Sequence, residues 1–190
     1  MDNQSEQLDL DSSDQPEKNS GWLRYLSVGI LAVLAIGFIT TLFLPASEND
    51  DISKSAAESI FITQDGSQSS LNEKLDKPVV LNFYASNCAP CRAELPEFDE
   101  VYLQVKEEVT FIGINQDVSE QTWRAFDNEV AVSYETVYQP GEEIFRDLGG
   151  IGLPMTVLID TDGKVLRKFS GVLNKEALIV LINSNFEKEF

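Results

Sequence analysis

The chain has 190 residues, 14 Lys+Arg against 32 Asp+Glu, a net charge of -18, two cysteines and no histidine. With no imidazole and only two thiols it cannot build the usual four-ligand zinc sites, nor run Cys–His or Ser–His–Asp catalysis. So large an acid excess also argues against nucleic acid or anionic lipid as the main ligand, since both are recognised by basic patches.

Residues 1–21 are polar and acidic, with no apolar periodicity, and read as a disordered tail. From Tyr25 to Leu44 run twenty residues without a formal charge, long enough as a helix to cross roughly 30 Å of hydrocarbon. Trp22 and Tyr25 stand where an interfacial aromatic belt would place them, so residues 22–44 are expected to form one transmembrane anchor. A cleaved signal peptide fits less well, because the polar stretch before the run is long and no A-x-A-like site follows it. Lys18 and Arg24 precede the span, whereas Glu48, Asp50 and Asp51 follow it against Lys54 alone. That bias puts the N-terminus in the cytoplasm and the rest outside. Residues 45–57 read as a flexible linker with a reach of only about 20 Å, which keeps the following domain, residues 58–190, near the membrane.

Within that domain, Ile60–Thr63 and Gln68–Leu71 flank Asp65-Gly66, a hairpin signal. Val79–Tyr84 is a short apolar run expected as a strand buried on both faces. Cys88–Lys106 has helical spacing through Leu95, Phe98, Val101, Tyr102 and Val105, and Thr110–Asn115 is a second buried strand. This β-α-β unit predicts parallel pairing. A helix over Ser119–Val130, a strand over Tyr134–Tyr138 and a brief helix over Glu142–Leu148 follow. Two strands, Met155–Ile159 and Val165–Phe169, are then joined by Asp160-Thr161-Asp162-Gly163, and Asn174 caps a last helix to about Asn185.

Both cysteines lie at the junction between the first buried strand and the first long helix, as Cys88-Ala89-Pro90-Cys91. A cysteine in the first helical turn faces unsatisfied backbone N–H groups and the positive end of the dipole, which favour thiolate over thiol. Its partner three residues on lies on the same face, within disulfide reach. Cys88 is then the exposed attacking sulfur and Cys91 the buried resolving one. Pro90 helps start the helix, since it fixes φ and lacks an N–H. A purely structural disulfide is the first alternative, but so small a loop adds only roughly 2 kcal/mol. A metal site is the second, and it lacks a third or fourth soft ligand.

The segments Asn82–Cys91, Glu94, Gly152-Leu153-Pro154 and Leu158–Val165 resemble the TlpA/ResA type of thioredoxin-fold proteins, membrane-tethered extracytoplasmic bacterial thiol–disulfide oxidoreductases. The resemblance runs over about residues 57–190. It implies an α/β thioredoxin fold, a central mixed sheet flanked by helices, with an N-terminal β-hairpin and a helix–strand insert at Ser119–Tyr138. It implies a bacterial cytoplasmic-membrane location with the domain on the periplasmic side, and a task in cytochrome c maturation or disulfide reduction. Expected partners are protein substrates with disulfides or thiols and a membrane dithiol electron donor, but no nucleic acid. The chain is expected to be monomeric, with no cofactor beyond the redox-active Cys88–Cys91 disulfide.

By the same resemblance Pro154 is a cis proline packed against the dithiol, and the backbone of Leu153 pairs with substrate peptide. Glu94, three residues after Cys91, is on the same helix face. It matches an acid that would disfavour a Cys91 thiolate and exchange protons with it; a solvated helix glutamate is the alternative. Asn82 needs a partner within its apolar strand. Pro96 matches a helix kink with a packing role, and Arg92 is expected to be a solvated residue adding positive potential near the thiols. Asn87 departs from the tryptophan usual before the first cysteine, and Met155 stands where threonine is common, filling space or shaping the substrate groove. Trp123 reads as scaffold. Two further functions compete: a thiol peroxidase, although the Pro-x-x-x-Thr-x-x-Cys pattern is missing, and a non-catalytic tethered binding module.

Overall fold

The computed structural model describes residues 51–186. The expected tail and anchor therefore lie outside the described residues. Among those described, no helix is long and apolar enough to cross a membrane.

The segment expected to end the linker is instead part of the fold. Ser53 caps a short helix, α1 (Lys54–Ala57), by accepting the Ala56 N–H, and both Ala56 and Ala57 are buried. A bridge between Asp51 and Lys164 and a hydrogen bond from the Ser53 N–H to Asp147 tie this start down. Four residues are too few to show periodicity, which is why the sequence read as linker.

The hairpin follows as β1 (Ile60–Thr63) and β2 (Gln68–Ser70), and Leu71, expected as strand, opens a 3-10 turn over Leu71–Lys74. Then come β3 (Val79–Tyr84), α2 (Ala89–Val105), β4 (Thr110–Asn115), α3 (Glu120–Val130), β5 (Glu135–Tyr138) and α4 (Glu143–Asp147). The chain continues with β6 (Met155–Ile159), β7 (Val165–Ser170) and α5 (Lys175–Phe186). Asn174 does cap α5, its side chain accepting the Ala177 N–H at 2.9 Å.

One seven-stranded mixed sheet runs in the order β2-β1-β5-β4-β3-β6-β7. The predicted β3-α2-β4 unit is parallel, β5 is parallel to β4, and β6 is antiparallel to β3. The expected insert thus supplies β5, the strand through which the hairpin joins the sheet. Alternation along β3 divides the core. Val79, Leu81 and Phe83 meet Ile112, Val137, Ile144 and Val157 on one side. Val80 and Tyr84 meet Cys91, Leu95 and Phe98 of α2 and Leu178 and Ile182 of α5 on the other. Asn82 shares that second parity, so it points at α2.

Two ends of the sheet are distinguished by register. Phe83 pairs with Met155 near the C-terminal end of β3, where the dithiol is carried, and Val79 pairs with Ile159 at the other end. Lys164, the partner of Asp51, lies in the β6–β7 connection at that other end. This is the thioredoxin-type α/β architecture that the motifs imply.

Candidate active site: a dithiol at a helix cap

Cys88 is the N-cap of α2, and the turn Ala85–Cys88 links it to the end of β3. Its sulfur accepts the Cys91 N–H at 3.2 Å, so one of the helix's orphan donors points at it. The two sulfurs are joined as a disulfide with the Cα atoms 5.3 Å apart. Pro90 occupies the first turn, where its missing N–H costs nothing. Cys91 is fully buried whereas Cys88 is half-buried. An incoming sulfur can therefore reach Cys88 and is screened from Cys91.

The Leu153–Pro154 peptide bond is cis. Pro154 is buried next to Met155, the residue paired with Phe83, and its carbonyl accepts the Gly171 N–H at 2.9 Å. Leu153 and Cys88, both half-buried, pack on the same apolar cluster. The topology thus brings the Leu153–Pro154 segment to the sheet end that carries the dithiol, although 63 positions separate Cys91 from Pro154 in sequence. Met155 is 2% exposed and packs among core residues, so it fills space and does not shape a groove.

Glu94 is not a solvated glutamate. It is 1% exposed, and its carboxylate accepts the Asn82 amide at 2.7 Å and the Leu173 N–H at 2.8 Å. Burial pushes its pKa up to about 7; the Leu173 and Asn82 hydrogen bonds pull it back, and Glu97 adds repulsion. An acid with that midpoint can hold or release a proton at neutral pH. The Asn82 Oδ1 has no partner in the structure. Turning that amide over would let it accept from protonated Glu94, so the pair can satisfy either protonation state.

Two expectations are corrected here. Pro96 lies within α2 as anticipated, but it is exposed, so it does not serve packing. Arg92 is not simply solvated: its guanidinium pairs with Glu129 and lies 4.5 Å over the Phe126 ring. That pairing offsets much of the positive potential it would add near the sulfurs. Trp123 is a scaffold residue, fully buried and stacked on Tyr138. Sequence reasoning missed Leu173, which acts through its backbone and so leaves no side-chain signal. It also missed Asp117, whose carboxylate binds Ser86 in the turn before Cys88. The available signal was a polar run, Asn115-Gln116-Asp117, directly after a buried strand at the dithiol end.

The AhpC/TSA family model matches residues 52–168. A thiol-disulfide oxidoreductase ResA of Bacillus thuringiensis subsp. konkukian is 31% identical over 153 residues, covering 78% of this chain and 88% of that protein. A ResA of Halalkalibacterium halodurans is 26% identical over 159 residues, covering 82% and 89%. Among solved structures, a Chlorobium tepidum protein assigned as a thiol:disulfide interchange protein DsbE is similar at a TM-score of 0.65 and 26% identity. That match covers 74% of this chain and 99% of the other.

Proposed function

We propose a specific task for a chain that belongs to the ResA/TlpA-like family of thiol–disulfide oxidoreductases: reduction of disulfides in extracytoplasmic proteins by the Cys88–Cys91 dithiol, from a domain tethered to the bacterial cytoplasmic membrane by residues 22–44. The observation that carries the reading is the asymmetry of the pair, with Cys88 reachable at a helix cap and Cys91 buried one turn behind it.

In the reducing direction the Cys88 thiolate attacks one sulfur of a substrate disulfide. The S–S bond breaks, the other substrate sulfur leaves as a thiolate and takes a proton, and a mixed disulfide forms at Cys88. The Cys91 thiol gives its proton to the Glu94 carboxylate and attacks the Cys88 sulfur. This closes the Cys88–Cys91 disulfide and expels the second substrate sulfur as a thiolate, which takes a proton from solvent while Glu94 releases its own. Two electrons pass from dithiol to substrate, and a membrane dithiol donor returns them. Leu153 offers its backbone to the substrate chain beside Pro154. Assembly of c-type cytochromes, which needs reduced cysteines, is the task that the family resemblance favours.

The AhpC/TSA match keeps a thiol peroxidase in view, because that family name also covers peroxidases. The disulfide between residues one helical turn apart supports exchange between dithiols instead.

The test is a trap. Cys91→Ala in the producing cell should accumulate disulfide-linked partners at Cys88, while wild type, read by thiol alkylation, rests mainly reduced. A membrane-impermeant maleimide should label the reduced protein in intact spheroplasts. A mainly oxidised resting pair would make the protein an oxidant, and no covalent partner would make it a binding module.

A further inference from the structure

After Tyr84 the chain turns through Ala85, Ser86 and Asn87 to reach Cys88. Within this turn the Cys88 N–H donates to the Ala85 carbonyl at 3.1 Å. Further anchorage comes from the exit of the neighbouring strand β4. The Gln116 N–H donates to the Tyr84 carbonyl at 2.8 Å. Asp117 accepts the Ser86 N–H at 3.0 Å and the Ser86 hydroxyl at 2.8 Å on Oδ1. Its Oδ2 accepts the Asn115 amide at 3.0 Å and lies 3.3 Å from the Ser86 N–H. The Asp117 N–H in turn donates to Asn115 Oδ1 at 2.8 Å. Charge-assisted bonds of this kind are stronger than neutral ones, so one carboxylate ties the two strand exits together.

We propose that Asp117 is a positioning residue for Cys88: its carboxylate fixes the turn that delivers the sulfur to the end of α2, and its charge opposes the thiolate there, keeping the reduced pair a ready electron donor. The inference rests on Cys88 being the attacking sulfur. A fixed turn leaves less motion to be frozen when the substrate disulfide is approached. Ser86 and Cys88 are two positions apart, at most about 7 Å between Cα atoms, and Asp117 is bonded to Ser86, so its charge bears on the sulfur most strongly at low ionic strength. A negative neighbour disfavours the thiolate form of a thiol, and a destabilised thiolate gives up its electrons more readily.

Other charges around Cys88 are already committed. Arg92 on α2 pairs with Glu129 of α3. Glu94 is turned to Asn82 and Leu173. The connections 149–154 and 171–174 carry no charged residue, and the Lys175 ammonium beyond them pairs with Glu100. Asp117 is the charge bonded to the turn itself.

The test uses the purified full-length chain. In a Cys91→Ala background, iodoacetamide labelling of Cys88 is followed against pH with Asp117, Asp117→Asn and Asp117→Ala. Asp117→Asn should move the midpoint to lower pH and speed labelling below it by about threefold; an unchanged midpoint overturns the proposal. With both cysteines present, Asp117→Ala should lower kcat/KM on a model protein disulfide by about tenfold. Asp117→Asn, which keeps an acceptor oxygen, should lower it less. Wild-type kcat/KM in Asp117→Ala also overturns the proposal. If circular dichroism shows the Asp117 variants unfolded, Ser86→Ala removes only the 2.8 Å hydroxyl contact and should still lower kcat/KM; wild-type turnover there overturns the idea as well. Failure of the underlying reading looks different: Cys91→Ala alone would then trap no mixed disulfide at Cys88, whatever stands at position 117.

Discussion

Glu94 is buried and holds two hydrogen bonds, yet its midpoint is lifted to about 7 from 4.5. Between those values the folded chain keeps a proton that the unfolded chain has released, so stability falls as pH rises through that window and levels off above it. The span corresponds to an upper bound of order 3 kcal/mol. Glu94→Gln cannot ionise and can donate to Asn82 Oδ1, so it should be more stable than wild type at pH 8 and close to it at pH 5. Urea unfolding of the oxidised proteins at both pH values checks this. With Glu94 as the proposed acceptor of the Cys91 proton, the same substitution should slow resolution of a mixed disulfide by about 100-fold near pH 7, measured as its persistence after rapid mixing. At this scale the sequence showed Cys88, Cys91 and the helical spacing to Glu94. It could not show Leu173 as Glu94's partner, because a backbone donor 79 positions away has no residue-type signature.

Element boundaries were legible wherever local chemistry decides them. Apolar runs marked β3, β4 and β6, helical spacing marked α2, and Ser119 and Asn174 each cap a helix through a side-chain oxygen. The short α1 and the 3-10 turn escaped, because each depends on packing against distant residues and not on its own pattern. Nor does any local signal say that β5 lies between β4 and β1. One helix end is locally suboptimal: Ala131 closes α3 in the left-handed region, at φ 47 and ψ 50, with its N–H bonded to the Asp127 carbonyl. A methyl side chain there costs about 1 kcal/mol relative to glycine. Ala131→Gly should therefore raise the Tm by about 3 °C, measured by calorimetry at fixed redox state.

For the molecule as a whole, a net charge of -18 means self-repulsion. Raising NaCl from 10 to 300 mM should screen it and stabilise the fold by about 1 kcal/mol, seen as a rise in Tm. The acidity was legible from the first count of residues; the arrangement of the two ends of the sheet was not. Asp51, the first described residue, is bridged to Lys164 in the β6–β7 connection, while Cys88 sits at the opposite end of the sheet. The first described residue and the reactive sulfur therefore stand at opposite poles of the sheet, so anything carried ahead of residue 51 would leave Cys88 open to arriving substrates.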